Sequence, residues 1–156
     1  MITVKVKKLS HFDPNFSLPV YESEGAAGLD VRASFPEDQT SLILAPGMRV
    51  LIPTGLSVEI PAGYEIQVRP RSGLSYKTSL MVLNAPGTID SDYRGEIKII
   101  LGNMGPQDVE VKHGDRIAQL VLAAVPKLVW AELEDSVQLS LTSRGESGFG
   151  STGVSV

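Results

Sequence analysis

Residues 87–95 read Gly-Thr-Ile-Asp-Ser-Asp-Tyr-Arg-Gly and gather two carboxylates, a phenol and a guanidinium in one short segment. The rest of the chain narrows what such a segment can do. There is no cysteine, which excludes thiol nucleophiles, thiolate metal sites and disulfides. The two histidines, His11 and His113, stand far apart in polar contexts, so a histidine metal site or a serine–histidine pair is disfavoured. Activation of a nucleophile therefore falls to a carboxylate, with water as the nucleophile. Asp90, Asp92 and Gly95 also match the first, third and sixth places of a calcium-binding EF-hand loop. Arg94 and Leu101 occupy places where that loop needs oxygen ligands, so the calcium reading fails. A polar hairpin turn between strands is the plain structural alternative.

Four further segments carry polar groups, and two of them, residues 69–75 and the tail, suit an anion. Residues 69–75, Arg-Pro-Arg-Ser-Gly-Leu-Ser, put a guanidinium, a hydroxyl and free backbone donors where a short helix begins, a set that suits phosphate oxygens. Taken alone, an N-cap serine beside a solvated arginine accounts for them equally well. No Gly-x-x-x-x-Gly-Lys-Ser/Thr occurs, so this is not a P-loop. Residues 27–33, Ala-Gly-Leu-Asp-Val-Arg-Ala, set Asp30 and Arg32 in a small-residue strand with a close backbone approach at Gly28. Residues 114–121, Gly-Asp-Arg-Ile-Ala-Gln-Leu-Val, form a turn and then a strand whose apolar positions are interrupted by Gln119. The tail, residues 144–153, reads Arg-Gly-Glu-Ser-Gly-Phe-Gly-Ser-Thr-Gly. It offers cationic donors, unhindered N–H groups, hydroxyls and an aromatic face, which phosphates and a flat ring require. Such a segment loses much entropy on ordering, and it reads either as a frayed terminus or as a lid over a polyphosphate ligand.

These groups must be positioned by short strands. Ten prolines leave few gaps that would admit a long helix. Between them lie β-branched or alternating runs at 2–6, 29–33, 41–44, 49–52, 56–60, 64–68, 96–101, 108–111 and 116–125. Many short strands separated by turn signals indicate an all-β sandwich or barrel, with one short helix at Ser72–Lys77 after the break at Pro70. With 156 residues the chain reads as one domain over 1–139, followed by a flexible arm over 140–156. A net charge of −4 argues against a broad nucleic-acid-binding surface, yet allows an anionic small ligand, whose binding depends on local donors. The opening residues lack an apolar leader and no run reaches membrane-spanning length, so a cytoplasmic protein without a membrane partner is expected.

Together and in order, residues 27–33, 71–75, 84–95, 114–121 and 144–153 closely resemble the five motifs of the trimeric deoxyuridine triphosphatase (dUTPase) family. The Arg-Ser-Gly-Leu and Gly-Thr-Ile-Asp-Ser-Asp-Tyr pieces are individually specific. The tail departs from the family pattern at Ser147, where a second glycine is usual. The resemblance implies a distorted jelly-roll β-barrel of the β-clip type, assembled as a homotrimer with three active sites at subunit interfaces. It implies hydrolysis of dUTP to dUMP and pyrophosphate, which keeps uracil out of DNA and supplies dUMP for thymidylate synthesis. Mg2+ is implied as the metal, held mainly by the substrate's phosphates and water.

Carried over residue by residue, the resemblance makes Asp90 the general base for water attacking the α-phosphorus. Gln119 reaches the phosphates or helps fix the attacking geometry. Arg71, Ser72 and Gly73 hold phosphate oxygens, and Asp30 orders the water shell of Mg2+. Arg144, Gly150, Ser151 and Thr152 close over the outer phosphates while Phe149 stacks on uracil. Residues 84–98 are expected to form a β-hairpin in which Asn84 and the backbone of Gly87, Thr88 and Ile89, with Lys98 on the returning arm, address the nucleoside. Cytosine reverses the donor and acceptor at C4, a mismatch able to give discrimination of about 10⁴. Tyr93 beneath the sugar leaves no room for a ribose 2′-hydroxyl. The related dCTP deaminases share the fold but need a glutamate on the strand after the hairpin. Ile100 stands there and cannot shuttle protons.

Overall fold

The computed structural model describes residues 1–147 of the chain. The chain divides after Pro126 into two units, Met1–Pro126 and Lys127–Val156. All ten strands and the helix found among the described residues belong to the first: β1 (Lys5–Lys8), β2 (Leu29–Arg32), β3 (Ser41–Leu44), β4 (Arg49–Glu59), β5 (Tyr64–Arg69), α1 (Ser72–Lys77), β6 (Leu80–Val82), β7 (Gly87–Ile89), β8 (Glu96–Asn103), β9 (Val109–Lys112) and β10 (Arg116–Ala124). None of the described helices is long and apolar enough to cross a membrane.

The strands form two four-stranded antiparallel sheets, ordered β1-β4-β8-β6 and β2-β10-β5-β7, with a β3-β9 ribbon beside them. This is a jelly-roll-like β fold, as the short runs and turn signals predict. Alternation sets the inner faces. In β8, Ile97, Ile99 and Leu101 are fully buried while Lys98 is exposed. Ile52, Leu56 and Val58 of β4 join them from the same sheet, and Val31, Ile66, Val68 and Leu120 from the other. Asn103 ends β8 inside this core with its amide fully used. It donates to the carbonyls of Leu44 (2.8 Å) and Gln107 (2.6 Å), and its oxygen accepts from the Ser79 hydroxyl and the Gly105 N–H. A buried amide is tolerated on those terms.

Four differences from the sequence expectations have physical causes. The runs at 49–52 and 56–60 are one strand, because a bulge between Pro53 and Ser57 absorbs the proline that was expected to end the first. Gly55 takes a φ of +68° in that bulge, and a β-carbon there would meet the Phe12 backbone at 2.8 Å, so only glycine fits. The first strand starts at Lys5, where pairing with Glu59 begins, and not at Ile2. Two three-residue strands, β6 and β7, lie in segments too short for a periodic signal. Finally, residues 84–98 are not a hairpin. The β7 strand pairs with β5 in one sheet, whereas β8 pairs with β4 and β6 in the other, so the segment crosses between sheets. Ile89 and Ile97 each pack on the shared core from their own sheet, which favours the crossing over mutual pairing.

In the second unit, residues 127–147 hold no strand or helix. Leu128, Val129, Trp130, Leu139 and Leu141 are exposed. The division after Pro126 falls ahead of the 139/140 boundary expected from composition.

Candidate active site

The first group of site residues is assembled where β2 and β10 lie side by side. Gln119 of β10 stands directly across from Asp30 of β2 and from Arg69 of β5, so its side chain shares a face with that of Asp30. A bulge between Arg116 and Ala118 breaks the alternation of β10. It buries Ile117 and Ala118 in succession and lets Arg116, three positions before Gln119, reach the same carboxylate. Asp30 is held by two guanidiniums, Arg71 Nε at 2.7 Å and Arg116 Nη1 at 3.4 Å, and Arg71 Nη1 also donates to the Arg116 carbonyl. Glu22 stands 3.7 Å from Arg116 on the outer side. Gln119 donates through Nε2 to the Pro70 carbonyl at 2.8 Å. Its Oε1 lies over Gly28, where a β-carbon would come within 2.3 Å, which is the close approach read from the sequence.

Helix α1 begins at this cluster. Arg71, extended at φ −92° and ψ 126°, occupies the N-cap position and makes no side-chain cap bond. Ser72 is thus the first helical residue and not the cap, which removes the plain N-cap account of its hydroxyl. That hydroxyl is exposed and makes no hydrogen bond among the described residues. The first turn also leaves the N–H groups of Ser72, Gly73 and Leu74 without carbonyls four residues back in the helix. Side-chain and backbone donors beside Arg71 therefore converge on open space.

The second group runs along β7 and the loop after it. The Asn84 amide lies over Gly87, whose missing β-carbon would come 2.9 Å from Asn84 Nδ2. Gly87, Thr88 and Ile89 pair with Val68, Gln67 and Ile66. Asp90 follows, exposed, and its carboxylate makes no hydrogen bond among the described residues, while its backbone carbonyl accepts from the Tyr93 N–H at 3.2 Å. The Tyr93 hydroxyl donates to the Glu96 carbonyl at 3.0 Å. Lys98 Nζ sits 3.6 Å from Glu96 Oε2.

Register shows that the two groups are not adjacent in one chain. Asp90 lies one residue past Ile89, which pairs with Ile66, whereas Ser72 lies beyond Arg69 at the other end of β5. The four residue steps from Glu65 to Arg69 alone span about 13 Å. Arg144 belongs to the second unit, where its Nε donates to the Ser147 carbonyl at 2.9 Å. Phe149, Gly150, Ser151 and Thr152 lie outside the described residues.

Two residues escaped the sequence reading. Arg116 shares Asp30 with Arg71, and the available signal was a cation at the head of a strand whose other faces are apolar. Glu96, largely buried, accepts through Oε1 from the N–H groups of Thr54 (3.1 Å) and Gly55 (2.8 Å) and is bonded to His11 Nε2 (2.7 Å). Its signal was an acid opening an otherwise buried strand. Ile100, at the place where a deaminase would need a glutamate, is partly buried opposite Leu51.

An exposed carboxylate on a β scaffold, with a separate cluster of guanidinium, hydroxyl and amide donors, is a set that suits a phosphoanhydride and an attacking water, the class of a phosphoanhydride hydrolase. The dUTPase family profile matches residues 14–153, and the chain belongs to that family. It is 56% identical over 150 residues to a deoxyuridine 5′-triphosphate nucleotidohydrolase of Beijerinckia indica, covering 96% of this chain and 91% of the relative. It is 50% identical over 151 residues to the enzyme of the same description from Brucella melitensis, covering 97% and 93%. Among solved structures, the dUTPase of Staphylococcus bacteriophage 80alpha with dUPNHPP superposes at a TM-score of 0.79 with 29% identity, covering 97% of this chain and 99% of that one.

Proposed function

We propose that the chain hydrolyses dUTP to dUMP and pyrophosphate in active sites shared among three copies, with Asp90 as the base. The observation that carries this reading is that, among the described residues, the Asp90 carboxylate at the end of β7 and the Ser72 hydroxyl at the start of α1 are exposed and make no hydrogen bond, while Arg71 and Gln119 beside Ser72 are held in place by Asp30 and the Pro70 carbonyl. Asp90 takes a proton from a water whose oxygen attacks the α-phosphorus. The bond from that phosphorus to the oxygen bridging to the β-phosphate breaks, and pyrophosphate leaves with the electron pair. Arg71, Ser72 and the first-turn N–H groups hold phosphate oxygens, where each donor aimed at developing charge contributes about 3 kcal/mol. Gln119, fixed by the Pro70 carbonyl and Gly28, presents its amide to the same oxygens.

The separation of the groups along β5 supports a site shared between copies, and the family resemblance makes that assembly a homotrimer. A copy supplying Asp90 cannot supply Ser72 to the same phosphate unless the strand between them were absent. The nucleoside runs along the stretch from Asn84 to Tyr93. Three strand steps from Gly87 to Asp90, about 10 Å, match the scale of a nucleoside between its base edge and its first phosphate. Asn84 and the Gly87–Ile89 backbone address uracil, Lys98 supports the loop through Glu96, and Tyr93 lies under the sugar. Arg144 with Phe149, Gly150, Ser151 and Thr152 closes over the bound nucleotide.

The donor set bears on Mg2+. No group of three His, Cys, Asp or Glu side chains among the described residues could cage an ion. Asp30 is already shared by two guanidiniums. These residues fit an ion held by substrate phosphates and water, with Asp30 as an outer carboxylate. Mg2+ supplies charge neutralisation on the phosphates. The cytoplasm is the setting we assign.

The test is Asp90→Asn. It keeps shape and hydrogen bonding but cannot take the proton, so pyrophosphate release from dUTP should fall below detection. Calorimetric binding of a non-hydrolysable dUTP analogue should be retained within a few-fold. Turnover persisting in the variant removes Asp90 as the base.

A further inference from the structure

The Tyr93 ring is folded back against the chain that follows it. A β-carbon on Gly95 would lie 2.3 Å from the Tyr93 hydroxyl oxygen, 2.5 Å from Cζ and 2.9 Å from Cε2. The ring therefore occupies the volume that any other residue at 95 would fill. Its hydroxyl is anchored beyond, on the Glu96 carbonyl at 3.0 Å. That peptide is itself fixed. Glu96 is tied by its side chain to the β4 bulge and His11, and the Arg94 carbonyl accepts from the Ser57 hydroxyl at 2.7 Å. Arg94 Nη1 caps the loop by donating to the carbonyls of Ser91 and Tyr93. Gly95 is not in the left-handed region, so its backbone conformation is open to alanine.

We propose that Gly95 is a specificity-determining position, which acts by setting how deeply the Tyr93 ring is seated and thereby excluding a sugar 2′-hydroxyl. The inference rests on the reading that Tyr93 lies under the sugar. The three atoms nearest a methyl at 95 all belong to the outer end of the tyrosine ring, the neighbour it must displace first. Eviction also breaks the bond to the Glu96 carbonyl, and the ring swings away from a floor that stays in place. The space it leaves admits a ribonucleotide. Gly95 touches no substrate group and is a positioning residue.

The experiment compares kcat/KM for UTP and dUTP in the parent, Gly95→Ala, Tyr93→Ala and the double variant. Gly95→Ala should raise the UTP:dUTP ratio on the order of tenfold, in the same direction as Tyr93→Ala. In the double variant there is no ring left to displace, so its ratio should equal that of Tyr93→Ala alone. A ratio unchanged by Gly95→Ala but raised by Tyr93→Ala overturns the inference and leaves the Tyr93 reading standing. Additive shifts in the double variant also overturn it, because they indicate a role independent of the ring. If Tyr93→Ala leaves the ratio unchanged, both readings fall. Should Gly95→Ala not fold, recovery of a cooperative melt in the double variant supports the clash, and failure of both to fold overturns it.

Discussion

Gln119 is constrained from two sides: its nitrogen donates to the Pro70 carbonyl and its oxygen occupies the volume above Gly28. Adding one methyl tests whether that constraint matters. Gly28→Ala places a carbon 2.3 Å from Gln119 Oε1, but the amide sits at the end of a flexible chain and can yield. The melting temperature should move little, while kcat falls by about 10²-fold, the scale of an ångström's misplacement of a catalytic group. Steady-state kinetics beside Gln119→Ala check it; a kcat equal to the parent's shows that the amide's position is not critical. The close approach at Gly28 was legible because a glycine in a run that reads as a strand signals one, although β2 itself begins one residue later, at Leu29. The sharing of Asp30 between Arg71 and Arg116 was not, since it depends on a bulge in β10 that no local residue pattern announces. Ser72 shows the converse: its residue type suggested a cap, and only the backbone angles of Arg71 showed that the cap lies one residue earlier.

Strand β4 shows how far an element can depart from its sequence signal. Pro53 removes a ladder donor, the bulge leaves the Thr54 and Gly55 N–H groups off the ladder, and the Glu96 carboxylate from β8 accepts both. A long-range acceptor thereby repairs a break that local reading took for the end of a strand. The loop over residues 13–16 is built on the same logic and has a measurable acid limit. Asp13 accepts from the Asn15 N–H at 2.8 Å and meets His113 Nε2 at 3.1 Å. The Asn15 backbone bond, with His113 behind it, holds the carboxyl below its ordinary value of 3.8. A depressed acid contributes stability that is fully present above the ordinary value and lost as pH falls through the folded-state one. Melting curves of the parent and Asp13→Asn should therefore differ at neutral pH, with a gap that begins to narrow near the ordinary value of 3.8 and closes as pH falls through the lower folded-state value. A gap that does not narrow as pH is taken below 3.8 to the acid limit of folding would assign the effect to shape and not to charge. Strands with clean alternation, such as β8, were read nearly to the residue, whereas β6 and β7, at three residues each, exist only because neighbouring strands offer them an edge.

At the scale of the whole molecule, β5 acts as a spacer. Asp90 lies by one end and Ser72 beyond the other, and both are tied to the same rigid sheet. Bending the chain cannot bring them to one phosphate, so on the proposed shared-site arrangement each chamber draws its base and its phosphate donors from different copies. Pure Ser72→Ala and pure Asp90→Asn proteins should then both be nearly inert. Unfolded together in equal amounts and refolded as mixed assemblies, they should regain turnover in about a quarter of the chambers, those in which the copy giving the base carries Ser72→Ala and the copy giving the phosphate donors carries Asp90→Asn. Mixing without subunit exchange should restore nothing. A genetic consequence follows: alleles damaged at opposite ends of this one strand should complement each other, whereas two lesions at the same end should not.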